Sequence, residues 1–144
     1  MRGINKVTLI GNLGCNPEIR YTASNNAVAV LAVATGSVWK DKIIGEKHSH
    51  TEWHRVIAYK QLAGIAKDYF HKGTPIYVEG RLKTRKWTDT NGINHYITEI
   101  IASALQSLGG AKQDKDLKDK MEEEDCNLIM ETPISTEDIE DESN

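Results

Sequence analysis

The sequence predicts an all-β domain: a five-stranded Greek-key barrel with one helix between its third and fourth strands, followed by an acidic tail. Three observations carry this. Apolar and β-branched residues dominate five short stretches that read as strands. A single stretch, just past residue 59, switches to helical spacing. Beyond Gly109-Gly110 the apolar residues thin out and charge takes over.

The elements follow in chain order. Residues 4–13, INKVTLIGNL, are rich in β-branched side chains and interrupted by Gly11, the mark of a bend or a close backbone approach. Residues 27–38, AVAVLAVATGSV, form a second strand. Residues 40–49, KDKIIGEKHS, are polar and contain a glycine, so they read as a loop or a mobile hairpin. TEWHRVIAY, residues 51–59, is the third strand. In YKQLAGIAKDYFHKG, Leu62, Ile65, Ala66, Tyr69 and Phe70 recur at helical spacing. Lys72 stands near the helix end, Gly73 suits a left-handed cap, and Pro75 blocks continuation. TPIYVEGRL resumes strand, Asn91-Gly92 signals a turn, and NHYITEIIASAL returns as the last strand. The last two strands make a long hairpin with Trp87 near its tip. Three strands, a helix and two strands is the chain order of an OB-fold. It also fits an unrelated α+β sandwich.

Residues 1–110 form the expected domain, and residues 111–144 an expected disordered tail. A helix over residues 112–124 would have no apolar stripe to bury. Charge divides at the same place. The body carries 14 Lys+Arg against 8 Asp+Glu, a net of +6, and the tail 4 against 13, a net of −9. A basic body suggests a polyanionic partner. The tail would shield that surface, recruit basic proteins, or keep the protein soluble. No apolar run is long enough to cross a membrane, and the opening MRGINKVTLIGN lacks the apolar middle of a signal peptide. Cys15 and Cys126 stand far apart with no paired spacing. That argues against a disulfide framework or a zinc site and for a reducing cytosol.

The chemistry concentrates in two strands. In EGRLKTRKWTDTNG, Arg81, Lys83, Arg85 and Trp87 share one face at a period of two, while Leu82, expected to turn into the barrel, Thr84 and Lys86 share the other. In TEWHRVIAY, Trp53, Arg55, Ile57 and Tyr59 share a face opposite His54, Val56 and Ala58. Trp39 follows strand two beside Lys40 and Lys42. All three tryptophans therefore neighbour cations. Unpaired bases stack on such rings for roughly 1–3 kcal/mol each, whatever their identity, and Lys and Arg neutralise phosphates. The pattern points to single-stranded nucleic acid. The plain alternative makes the tryptophans core residues and the cations a solvated face. His48 and His50 stand two apart in a polar loop with no third ligand evident, so no metal or cofactor is expected. No nucleophile motif, phosphate-cradling loop or acid/base pair appears, and no enzyme activity is expected.

These stretches carry a resemblance. INKVTLIGNLG, PEIRYT, TEWHRV, YFHKGTPIYVEGRLKTRKWTD and GINHYITEI resemble the bacterial single-stranded DNA-binding protein family over residues 1–108. The resemblance implies an OB-fold homotetramer, cytoplasmic and nucleoid-associated, that holds single-stranded DNA during replication, recombination and repair. It implies stacking by Trp39, Trp53, Tyr59 and Trp87. Phosphate contacts fall to Arg2, Lys6, Arg20, Lys42, Arg55, Lys72, Lys83, Arg85 and Lys86. His54 takes a structural place at the oligomer interface. The family closes on an acidic motif ending Ile-Pro-Phe. This chain ends STEDIEDESN, which keeps the acidity and lacks that apolar tip, so recruitment of replication and repair proteins would rest on residues 131–144. An adaptor made mainly for protein contact and a nucleic-acid enzyme are the competing readings.

Overall fold

The computed structural model describes residues 1–109 and 123–134 of the chain. Among the described residues six strands form: β1 (Val7–Leu13), β2 (Glu18–Tyr21), β3 (Ala27–Lys40), β4 (Lys47–Tyr59), β5 (Pro75–Thr88) and β6 (Asn94–Ser107). Helix α1 (Gln61–Tyr69) lies between β4 and β5. Hydrogen-bonded neighbours run β1-β5-β6-β4-β3-β2, and β1 also pairs with β3. That extra pairing closes β1, β5, β6, β4 and β3 into a five-stranded barrel, the OB-fold. The short β2 is an addition to the expected strands and flanks β3 from outside the ring.

Barrel closure depends on β1 serving two partners. Its residues from Val7 to Asn12 pair with β5, while Asn12 and Leu13 pair with Ala34 and Val33 of β3. Gly11 marks the crossover. A Cβ there would lie 2.3 Å from the Ala34 carbonyl oxygen, so only glycine lets the strands approach this closely. The interior is filled by Leu13, Leu31, Val33, Val56, Ile76, Val78 and Ile100, and α1 adds Ala63 and Ala66 with Phe70 just beyond it. The helix is shorter than its spacing suggested, and Tyr69 is exposed rather than buried. Gly73 takes the left-handed conformation expected of it (φ 90°).

Two long arms leave the barrel. β3 and β4 stay paired as far as Lys40 and Lys47, so most of the expected polar loop is strand, and only residues 41–46 turn. β5 and β6 stay paired to Thr88 and Asn94. Leu82 corrects the sequence reading, being 48% exposed. β1 accompanies β5 only as far as Gly80, so past that point, among the described residues, β5 pairs with β6 alone and Leu82 lies on the arm beyond the closed barrel.

The tail holds the larger correction. Within the segment expected to be disordered, Glu123–Glu131 form a helix, α2. It lies against β3, and its Ile129 and Met130, with Ile134 beyond, pack on a second apolar cluster of Val28, Val30, Ile57, Tyr59 and Ile101. Cys126 is buried there, its sulfur 3.4 Å from where a Cβ on Gly14, the neighbour of Cys15, would lie. The two cysteines, distant in sequence, are neighbours in the fold. The rest of residues 111–144 lie outside the described residues.

Candidate nucleic-acid interface

One face of the barrel is built by register. Pairing of β3 with β4 sets Trp53 opposite Ala34, Arg55 opposite Ala32, Ile57 opposite Val30 and Tyr59 opposite Val28. Directly opposed residues share a face, so small side chains on β3 stand beside large ones on β4. On the other flank, parallel β6 brings Ile101 next to Ile57. β5 then sets Arg81, Lys83, Arg85 and Trp87 opposite Ile101, Glu99, Ile97 and His95. The two sequence patterns thereby become one surface running from the barrel into the β5–β6 arm.

Glu99 organises the charges of that surface. Only 2% exposed, it accepts hydrogen bonds from Arg55 Nε and Arg85 Nε, both at 2.7 Å. Arg55 is itself 5% exposed. Burial pulls its pKa below the ordinary value, with Glu99 opposing the shift and the nearby Arg20 and Arg85 charges adding to it. Arginine stays protonated through such shifts. A buried pair of this kind is costly to break from one side, because the remaining charge has no water to solvate it.

The same arginines hold the tail. Arg20 donates to the carbonyl oxygens of Met130 and Thr132, Arg55 to those of Ile129 and Thr132, and Arg85 to that of Pro133. The acceptors lie at and just past the C-terminal end of α2. Carbonyls there have no intrahelical partner and carry the negative end of the helix dipole. Three arginines thus converge on oxygen acceptors, the geometry they would also offer to phosphates. Tyr59 lies beneath the same segment, 7% exposed. Trp53 is half-buried against Gly14, where a Cβ would fall 2.2 Å from the indole ring.

Trp39 and Trp87 stand differently. Trp39, on the β3–β4 arm, is 51% exposed and stacks on His48 with ring centroids 5.7 Å apart and planes at 27°. Trp87, half-buried on the β5–β6 arm, stacks on His95 at 4.5 Å and 21°. Asp89 Oδ2 lies 2.7 Å from His95 Nε2, and that hydrogen bond holds the Asp89 carboxyl below the usual carboxylate range. Each indole therefore has a histidine stacked on one ring face, and His95 is held there by Asp89. Lys42 and Lys86 are exposed on these arms, with Lys86 on the face opposite Trp87, and Lys83 lies in the Trp87 row.

The remaining candidates are dispersed. Arg2 is exposed near the chain start. Lys6 pairs with Glu79 at 3.2 Å, and the Glu79 pKa is lowered by the hydrogen bond from Tyr77 first and then by Lys6. Lys72 lies beside the Cys15 loop, its backbone N–H donating to Asn16 Oδ1 at 2.8 Å. His54 hydrogen-bonds Thr35 Oγ1 at 2.8 Å, and burial lowers its pKa. His50 pairs with Glu52 rather than with His48. Among the described residues no group of three His, Cys, Asp or Glu is gathered as a metal site would require.

Four contributors escaped the sequence reading: Glu99, the two stacking histidines and the α2 segment. Only the last left a readable signal. Cys126, Ile129 and Met130 stand at i, i+3 and i+4, a short apolar stripe among acidic neighbours.

Comparison with known proteins agrees with this geometry. Residues 4–108 match the model of the Single-strand binding protein family. The Plasmodium falciparum SSB in complex with ssDNA is similar at 37% identity and a TM-score of 0.69, over 76% of this chain and 98% of that one. A deletion mutant of the single-stranded DNA binding protein from Thermus aquaticus is similar at 31% identity and a TM-score of 0.65, over 78% of this chain and 54% of that one. By sequence and by fold, the chain belongs to the single-strand binding protein family.

Proposed function

We propose that the chain binds single-stranded DNA without sequence preference along the face described above, and that its own tail occupies the middle of that face when DNA is absent. Binding of single-stranded DNA follows from family membership, and the role is one of holding rather than catalysis. Trp39, Trp53, Tyr59 and Trp87 stack on bases. Arg20, Arg55, Lys83 and Arg85 contact phosphates along the same surface, with Lys42 and Lys86 along the arms and Arg2, Lys6 and Lys72 at its margins. Convergence of Arg20, Arg55 and Arg85 on the oxygen acceptors of residues 129–133 supports this reading best. A phosphate arriving there would have to displace the tail.

A homotetramer belongs to the same proposal. In one chain, Ile10, Leu82 and Tyr96 are exposed apolar side chains that an assembly would cover. His54 would serve it through the Thr35 hydrogen bond. Lifting the tail would also free residues 131–144 for replication and repair proteins, and a reducing cytosol suits the two free thiols. Among the described residues no helix is long and apolar enough to cross a membrane.

Titration of intrinsic tryptophan fluorescence with an oligo-dT of several tens of nucleotides tests the binding face, with a matched duplex as control. Quenching by the single strand alone, carried by Trp39 and Trp87 and reduced in Trp87→Ala, is expected. Equal quenching by the duplex would overturn the assignment.

A further inference from the structure

The chain has two cysteines, and the fold brings them together at the place where the tail meets the DNA face. Cys15 lies in the turn between β1 and β2, next to Gly14, on which the Trp53 ring packs. Cys126 lies on α2, three residues before the first carbonyl that Arg55 holds. A Cβ on Gly14 would sit 3.4 Å from the Cys126 sulfur, which places that sulfur beside the residue preceding Cys15, and Cys126 is among the groups that raise the Cys15 pKa. Both are reduced.

We infer that Cys15 and Cys126 are a reversible dithiol–disulfide pair that latches α2 over the single-stranded DNA face under oxidising conditions. The inference rests on the proposal that the tail and DNA compete for that face. An S–S bond is about 2 Å long, and the placement of the Cys126 sulfur beside the Gly14-Cys15 turn brings the two side chains into the neighbourhood such a bond requires. The bond would anchor the segment a few residues from the carbonyls that Arg20, Arg55 and Arg85 hold. A tail that otherwise leaves freely would then be returned to those arginines by a short tether, and DNA would meet a competitor at high effective concentration.

The chemistry balances with a low-molecular-weight disulfide such as glutathione disulfide as oxidant. Cys15 thiolate attacks one sulfur of the oxidant, and one glutathione leaves as its thiolate. Cys126 thiolate then attacks the Cys15 sulfur of the mixed disulfide and expels the second glutathione. Two protein thiols are oxidised, one glutathione disulfide is reduced to two glutathiones, and the two cysteine protons pass to the leaving thiolates. Burial and the Cys126 contact push the Cys15 thiol up to about 12 while the tail is docked. Attack therefore belongs to moments when the tail is lifted, and closure to its return. DNA-bound protein, with its tail displaced, would be the form that senses the oxidant.

Full-length protein is incubated with glutathione disulfide or with dithiothreitol, mapped by mass spectrometry without reduction, and titrated with oligo-dT. The expected result is an intramolecular Cys15–Cys126 peptide pair, about tenfold weaker binding, recovery with dithiothreitol, and no response in Cys126→Ser. Thiols that stay free, or bridges only between chains, would overturn the pairing. An intramolecular disulfide with unchanged affinity would overturn the latch. If reduced full-length protein binds no better once residues 111–144 are removed, the tail-competition proposal fails. The latch then fails as a control of DNA binding, while the mass map still scores the pairing separately.

Discussion

The middle of the DNA face and the arms that flank it carry the same sequence pattern and meet opposite fates. In the middle, Arg55 and Tyr59 are buried beneath residues 129–134. On the β3–β4 arm, Trp39 is half-exposed with a histidine as its backing. Alternation of aromatics and cations specifies a surface suited to bases and phosphates, but it does not say whether that surface is vacant. Vacancy is decided by a partner segment, here from the same chain. On the proposed function, the arms would offer the first contacts to an incoming strand, and the middle would become available when the tail yields.

Glu99 joins the two regions, since it holds Arg55 of the middle and Arg85 of the arm from one buried position. Glu99→Ala should give the largest effect, a loss of about 3–5 kcal/mol in folding stability, because two arginines lose their counter-charge in a place water does not reach. Urea denaturation measures it. A loss below about 1 kcal/mol would mean that the pair is solvated after all, and the middle would then differ from the arms only by its tail.

Removing residues 111–144 acts on the middle and on the arm residue Arg85 that shares its tail contact. It takes away a net charge of −9 and uncovers Arg20, Arg55, Tyr59 and Arg85. Affinity for oligo-dT should rise on the order of tenfold at low salt, with the gain shrinking as salt screens the tail. The tryptophans should divide as well. Trp53→Ala should cost less than Trp87→Ala in the full chain, and the two should converge near the ~1–3 kcal/mol of a stacked base once the tail is gone. Equal costs in the full chain would erase the distinction between covered and open regions.

What could be read from the sequence follows the range of the interactions involved. β1, β3, β4, β5, β6 and α1 were legible because period, Gly73 and Asn91-Gly92 are local signals. β2 was not, since four residues are too few to show a period. Leu82 was assigned to the correct side of its strand and the wrong environment, because the point where β5 outruns β1 is a property of pairing. The aromatic and cationic rows were found, yet Glu99, which ties them together, reads as one acidic residue among many. The helix within residues 123–131 of the tail was missed for a related reason. Its stripe of Cys126, Ile129 and Met130 is too short to sustain a helix by itself and becomes meaningful only against Val28, Val30, Ile57, Tyr59 and Ile101, residues spread over three strands.

The smallest effect discriminates best between a docked tail and one that merely lies nearby. With the tail docked, the Cys15 pKa is raised from the ordinary 9.0 to about 12, through burial first and then Cys126, against the lowering influence of Lys72. A group whose pKa is raised in the docked state supports docking in full below its undocked pKa and withdraws that support as pH climbs toward the docked value. The window therefore opens near pH 9. By pH 9.5 the docking equilibrium of reduced protein should fall about fourfold, read as easier access of oligo-dT to the middle of the face. Cys15→Ser should abolish the alkaline response, whereas the arms, where no cysteine lies, should bind as before. If Cys15→Ser and the parent chain respond alike between pH 8 and 9.5, the thiol contact does not couple to docking. Contact between middle and tail would then rest on the arginines and the apolar cluster alone.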